Sequence, residues 1–478
     1  MPMLLGLFLV LGAEGGNPSA TPPPKPNTYT LTTNIKIVAT PSIHALHMLY
    51  PPRHASGFVR PPPPRSVPPP PFEGATRVVY GYLPYWEYGP ESVPWEHLTH
   101  LAVFSVGANA DGSLSNLSRW TGRAADAVRL GHAAGVQVEL CVTQFDPATL
   151  DSILGSSSAR ATLARNLATQ VAAYGADGVN VDFEGVRGRQ RDNLVTFVRE
   201  LKAAGVGNVS LATPAVDWND AWDWAALSDA ADGLFIMGYG YHWTGGDPGP
   251  NAPLDDGDTW SQWTLAWTVQ DMLSGGADPA KVIVGLPLYG QSWPVSSPTA
   301  VPGNATGSGS SVVYTDAVAT AASRGRRWES VSSTPWYTGS SSQTWYDDAE
   351  SIEIKVRWAL LDAGVGGFGF WALGYDGNDP DLWSRLDRAI ADAAIADTPV
   401  DTGPSDSGGG DTAPVDTAAE DSASSTGTDS ASSDADAIPG AKRIGGAGGC
   451  ATVPEGRRAA TFAALVALTL VRRGRRKA

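Results

Sequence analysis

Residues Asp177 to Glu184 read Asp-Gly-Val-Asn-Val-Asp-Phe-Glu, a run in which carboxylate or amide side chains alternate with apolar ones. Side chains two apart share one face of a strand, so Asn180, Asp182 and Glu184 point one way and Val179, Val181 and Phe183 the other. No basic residue within the run pairs the carboxylates, and a carboxylate held near a core without a partner is penalised by desolvation. Groups of this kind deliver and take up protons in hydrolysis, where a leaving oxygen must be protonated while a nucleophile meets an electron-poor carbon. An isolated Asp-x-Glu also occurs on ordinary solvated strands. The octet therefore needs a framework that gives it a place.

That framework is a block of globular composition, residues 76–395, in which short apolar runs alternate with helix-like stretches. Strands are predicted at 77–82, 98–106, 136–143, 178–183, 209–214, 233–238, 281–287 and 366–371, and apolar residues recur at helical spacing in stretches such as 158–174 and 191–204. The repeat implies an α/β fold, a closed (β/α)8 TIM barrel. An open doubly wound sheet is the alternative, because strand number alone does not establish closure. Residues 296–347 are too long for a plain connection and carry Trp336, Tyr337, Trp345 and Tyr346, so a small inserted subdomain between strand 7 and helix 7 is expected. Barrel sites sit where the strands end. This rule gathers Glu184, Tyr82, Tyr85, Trp86, Tyr239, the run Tyr289 to Trp293, and Trp371 at one rim.

The octet and the order of these strand-end residues resemble family 18 glycoside hydrolases, whose Asp-x-x-Asp-x-Asp-x-Glu signature closes the fourth barrel strand. The likeness covers essentially the whole block. Asn180 departs from the signature's aspartate, as in some bacterial members of the spore-cortex-lytic N-acetylglucosaminidase type. The resemblance implies hydrolysis of β-1,4-linked N-acetylglucosamine glycans, chitin or peptidoglycan, with retention and with the sugar's own 2-acetamido oxygen as nucleophile. By the same resemblance Glu184 is the general acid and then base, Asp182 orients the acetamido N–H and stabilises the oxazolinium, and Tyr239 binds the acetamido carbonyl. Asp177 and Asn180 would keep Asp182 placed. Trp371 would be the floor under the sugar, with Tyr82, Trp86 and Trp293 as further substrate-binding aromatics. Gly240 is a second departure, since many chitinases read Met-x-Tyr-Asp there; His242 or Asp247 could compensate. A non-catalytic glycan-binding lectin on the same barrel is the alternative function, favoured by Gly240 and opposed by the presence of both Asp182 and Glu184.

Forty-nine acidic residues against 33 basic ones give a net charge of −16, which argues against a nucleic-acid partner and leaves a neutral polymer open. Seventeen Trp and 14 Tyr supply flat faces for sugars as well as cores. The two cysteines, Cys141 and Cys450, form no metal pattern, and no metal or other cofactor is expected. Residues 1–16 have the outline of a signal peptide. Residues 17–75 are proline-rich and are expected to be an extended spacer. Residues 396–445, dominated by Asp, Ser, Thr, Gly and Ala, read as a second spacer. In 446–478, Gly448-Gly449-Cys450 precedes an apolar stretch and a cluster from Arg472 to Lys477. This tail resembles the sorting tails of myxobacterial surface proteins, which would make Cys450 a processing or anchoring site. The expectation is an exported monomer held at the cell surface or outer membrane through this tail.

Overall fold

The computed structural model describes residues 42–59, 77–257 and 259–396. The signal segment, the acidic stretch and the tail with Cys450 lie outside the described residues, as does most of the proline-rich stretch.

The eight expected strands form, each within two residues of its expected bounds: β1 Val78–Pro84, β2 His100–Ala108, β3 Gln137–Gln144, β4 Gly178–Phe183, β5 Asn208–Thr213, β6 Gly233–Met237, β7 Val282–Pro287 and β8 Gly367–Trp371. All are parallel to their neighbours. The order runs in sequence from β1 to β8, and β8 pairs with β1, Val78 opposite Gly367. The sheet is thus a closed (β/α)8 barrel, and the open doubly wound alternative falls away.

Alternation along β4 works as its pattern requires. Phe183 faces outward and stacks at 5.7 Å on Phe197 of the helix Arg191–Ala203, while Asn180 and Asp182 face the barrel interior, fully buried. Interior space is filled by aromatics and made possible by glycines. A Cβ on Gly285 of β7 would lie 2.4 Å from Phe235 Cε1, and one on Gly369 of β8 would lie 2.8 Å from Phe235 Cε2. The ring of Phe235 occupies the axis between them, 4.9 Å from Tyr82 and 5.4 Å from Tyr80.

The insertion is a five-stranded antiparallel sheet, in the order Ser310–Val313, Tyr289–Pro294, Ser342–Trp345, Thr334–Thr338, Arg327–Glu329. It begins directly after β7, earlier than residue 296. Its own core gathers Trp260, Trp293, Val295, Trp336 and Trp345, with Trp336 and Trp345 stacked at 5.1 Å. A fully buried ion pair between Asp347 and Lys355 ties its end to the helix Ala349–Arg357.

One stretch departs from expectation. Residues 17–75 read as spacer throughout, yet Ile43–Leu49 forms a helix, α1. The reason is local: Pro41 and Pro51 bracket a window with no proline. Ser42 caps its start, its Oγ accepting from Ala45 N at 2.9 Å, and Pro51-Pro52 ends it.

Candidate active site

Glu184 follows the last residue of β4 at the C-terminal rim, its backbone N–H still donating to Gln144 O at 3.1 Å. Asp182, two residues earlier on the same face, is buried, and its Oδ1 has no hydrogen-bond partner among the described residues. A buried acceptor in that condition costs free energy until a donor reaches it. Burial, and after it the Asp182 carboxylate, pushes Glu184 up to about 7, against the pull of His44 and of the Ser42 hydroxyl. A carboxyl that keeps its proton near neutrality can act as an acid.

Beneath the pair lies a buried polar layer. Asn180 Nδ2 donates to Ser210 Oγ at 2.9 Å, Tyr82 OH donates to Asn180 Oδ1 at 3.2 Å, and the Cys141 thiol donates to the same oxygen at 3.3 Å. Ser210 and Tyr80 in turn donate to Glu139 Oε2 at 2.5 and 2.6 Å. The amide at 180 therefore fits a site that offers it both donors and an acceptor. Burial pushes the Cys141 thiol well up, with Asp182 and Glu139 adding to it, so this sulfur stays protonated.

Across the mouth, Tyr239 follows β6 and is buried; burial and then the nearby tyrosines raise its hydroxyl, which remains a donor. Trp371 ends β8, fully buried, with Tyr82 edge-on at 5.7 Å and Trp86 at 6.1 Å. Trp86 also donates through Nε1 to Tyr375 OH at 3.1 Å.

Two expectations change. Asp177 does not hold Asp182: it lies at the opposite end of β4, accepting from Val138 N at 2.6 Å and paired with His132 at 2.9 Å. Five residues of extended chain separate it from Asp182, more than 15 Å by strand rise (about 3.3 Å per residue). Trp293 is not a cleft aromatic but a fully buried member of the tryptophan core of the insertion, its Nε1 donating to Trp243 O at 3.3 Å.

Gly240 is explained by the backbone. Its φ of +80° lies in the left-handed region that favours glycine, and its N–H donates to Asn251 Oδ1 at 2.9 Å. His242 and Asp247 do not stand in for a carboxylate. His242 meets the Asp247 carbonyl at 3.2 Å, and Asp247 Oδ1 accepts from Ala305 N at 2.9 Å, so both organise a loop.

Sequence reasoning missed Ser42, His44 and His47, which meet the site directly. Ser42 Oγ donates to Glu184 Oε1. His44 Nδ1 lies 2.7 Å from Asp182 Oδ2 and 3.5 Å from Glu184 Oε1, its Nε2 lies 2.8 Å from Tyr239 OH, and its ring stacks on Trp371 at 3.8 Å. Burial lowers His44, yet Asp182 and then Glu184 outweigh it and leave the imidazole above its ordinary value. His47 is pulled down to about 3 by burial and by the charge on His44. It is therefore neutral, accepting at Nδ1 from Trp371 Nε1 at 3.0 Å and donating from Nε2 to Ser311 Oγ at 3.1 Å. The signal was a histidine cluster: three of the seven histidines, at 44, 47 and 54, fall within one short stretch. Donor atoms of His44, Asp182 and Glu184 lie within 4.8 Å of one another. The 2.7 Å from His44 to Asp182 is a hydrogen bond, shorter than the roughly 3.3 Å between two ligands of one tetrahedral zinc.

The cortical fragment-lytic enzyme of Bacillus anthracis is 24% identical over 296 residues, covering 58% of this chain and 65% of that protein. The chain spans between about a third and two thirds of the length of the curated relatives it matches. Among solved structures, the Group IV chitinase of Ostrinia furnacalis in complex with allosamidin superposes with a TM-score of 0.61 at 19% identity, over 66% of this chain and 99% of that one. A family 18 N-acetylglucosaminidase from Paenibacillus barengoltzii gives a TM-score of 0.59 at 18% identity, over 66% and 99%. The family model described as glycosyl hydrolases family 18 matches residues 78–376, more than half of the chain and all eight barrel strands, and the chain belongs to that family.

Proposed function

We propose that the barrel hydrolyses β-1,4-linked N-acetylglucosamine glycans with retention, the substrate's acetamido group serving as nucleophile. The observation that carries this reading is the pair at the end of β4: a glutamic acid raised to about 7 beside a buried carboxylate with an unused acceptor oxygen. Both groups lie on one side of the bond to be cut, so Asp182 is badly sited to attack an anomeric carbon that Glu184 serves from the same strand.

Glu184 gives its proton to the glycosidic oxygen as the C1–O bond breaks. The acetamido carbonyl oxygen closes on C1, and the positive charge of the resulting oxazolinium falls beside Asp182, whose free oxygen accepts the ring N–H. Tyr239 donates to the acetamido oxygen and Trp371 carries the apolar face of the sugar. Water then loses a proton to the Glu184 carboxylate and opens the ring at C1, returning the original anomer and the protonated acid.

The name of the Bacillus anthracis relative supports cell-wall glycan as the polymer, and the chitinase likeness keeps chitin in the comparison. The reading includes export and surface attachment through residues 446–478, with Cys450 as the processing or anchoring residue. Release of reducing ends from N-acetylglucosamine oligomers and from peptidoglycan, with a Glu184→Gln control, tests the activity. No release from either polymer by a barrel freed of residues 42–59, which meet Glu184, Asp182 and Trp371, would overturn it.

A further inference from the structure

Every group just given a chemical role is engaged by residues 42–59 of the same chain. Ser42 holds Glu184, the two nitrogens of His44 span Asp182 and Tyr239, the His44 ring covers Trp371, and His47 takes the Trp371 N–H. The segment is then pinned at the rim. His54 binds Thr315 Oγ1 at 2.8 Å and Gly374 O at 2.9 Å and stacks on Phe58 at 4.1 Å. Phe58 in turn packs where a Cβ on Gly377 would lie 2.5 Å from its Cζ. Ile43 and Met48 add apolar contact with the barrel core.

Resting on the reading above, we propose that residues 42–59 are an inhibitor built into the chain, a cap that occupies the sugar-binding subsite at the point of cleavage and must leave before glycan enters. The chemistry of the occupant matches the site. A flat five-membered imidazole with hydrogen-bonding nitrogens on two sides, stacked on an indole and set between a carboxylate and a tyrosine hydroxyl, has the shape and polarity of an oxazolinium ring. A tethered ligand meets its site at an effective concentration on the order of millimolar, so the capped chain excludes dilute glycan and yields to concentrated glycan. Because the cap joins β1 through proline-rich residues 60–76, cutting there converts tethered inhibition into dissociable inhibition.

The test compares the full chain with a His44→Ala/His47→Ala double variant, and with a full chain carrying a specific protease site at 61–75, before and after cleavage. Readouts are N-acetylglucosamine oligomer hydrolysis and hydrogen exchange of peptides from 42–59. Expected are an apparent KM at least tenfold lower in the double variant and in the cleaved, cap-separated protein, an unchanged kcat, and loss of exchange protection over 42–59 in the double variant. A synthetic 42–59 peptide added to the opened enzyme should raise KM again. Equal KM in all forms, or loss of activity in the folded double variant, overturns the cap. If no form hydrolyses glycan, the enzymatic reading fails while the exchange data still judge the cap: unaltered protection in the double variant overturns it, and lost protection supports it as a site-covering segment.

Discussion

Glu184 keeps its proton because it sits in a dry rim beside a second carboxylate, and that single displacement to about 7 sets the pH behaviour. In an uncapped chain kcat should fall as pH rises past the Glu184 titration, which burial and then the neighbouring Asp182 carboxylate displace upward, since the first step needs the acid form; Glu184→Gln should retain its fold and lose at least about 100-fold in rate. The folded carboxyl titrates above its ordinary 4.5, so the stability its proton contributes is complete below about 4.5 and drains away as pH rises to about 7. Glutamine does not titrate. The melting temperature of the glutamine variant should therefore gain on that of the parent across this interval, and a constant difference would contradict the assignment. Asn180→Asp would set a carboxylate against the oxygen of Ser210 that already serves Glu139, one buried layer with two acids. Urea melts should show a loss of about 1–3 kcal/mol, with lower kcat. The rim positions of Asp182, Glu184 and Tyr239 were legible because alternation and strand ends fix where such residues point. Asp177 was misread although it precedes β4 and falls out of step with Asn180, Asp182 and Glu184, so the strand-end rule and the alternation both place it away from the site; Trp293 was misread because linear spacing does not reveal that an aromatic after a strand begins a separate core.

The barrel strands were readable as elements because each is a short, nearly continuous apolar run, the mark of strands covered on both sides. Helix α1 was not, because composition summed over 17–75 is dominated by proline and hides a window bounded by Pro41 and Pro51. Gly240 shows the same limit at smaller scale: its positive φ, which glycine adopts without a Cβ clash, is invisible until the turn after β6 is seen. The insertion was foreseen by length and aromatic content, but its dependence on a buried charge pair was not. Removing one partner of Asp347–Lys355 leaves the other charge uncompensated, so Asp347→Ala should cost about 3–5 kcal/mol, whereas Asp347→Ala with Lys355→Met should recover most of it. Chemical denaturation of the two variants checks this. Equal losses in the single and double variants would mean that the pair is not what holds the helix Ala349–Arg357 to the sheet.

At the scale of the molecule, one chain carries both a glycosidase barrel and a segment that fills its site, and family likeness over 78–376 speaks only to the first of these. The two parts make separable claims, since the cap governs access and the β4 carboxylates govern chemistry. The most direct test of the chemistry is a rate comparison, in the cap-released protein, between N-acetylglucosamine oligomers and the same oligomers stripped of their acetyl groups. Participation by the acetamido oxygen requires rapid hydrolysis of the first and none of the second. Comparable rates on both would contradict the account, because the nucleophile would then have to come from the protein or from water.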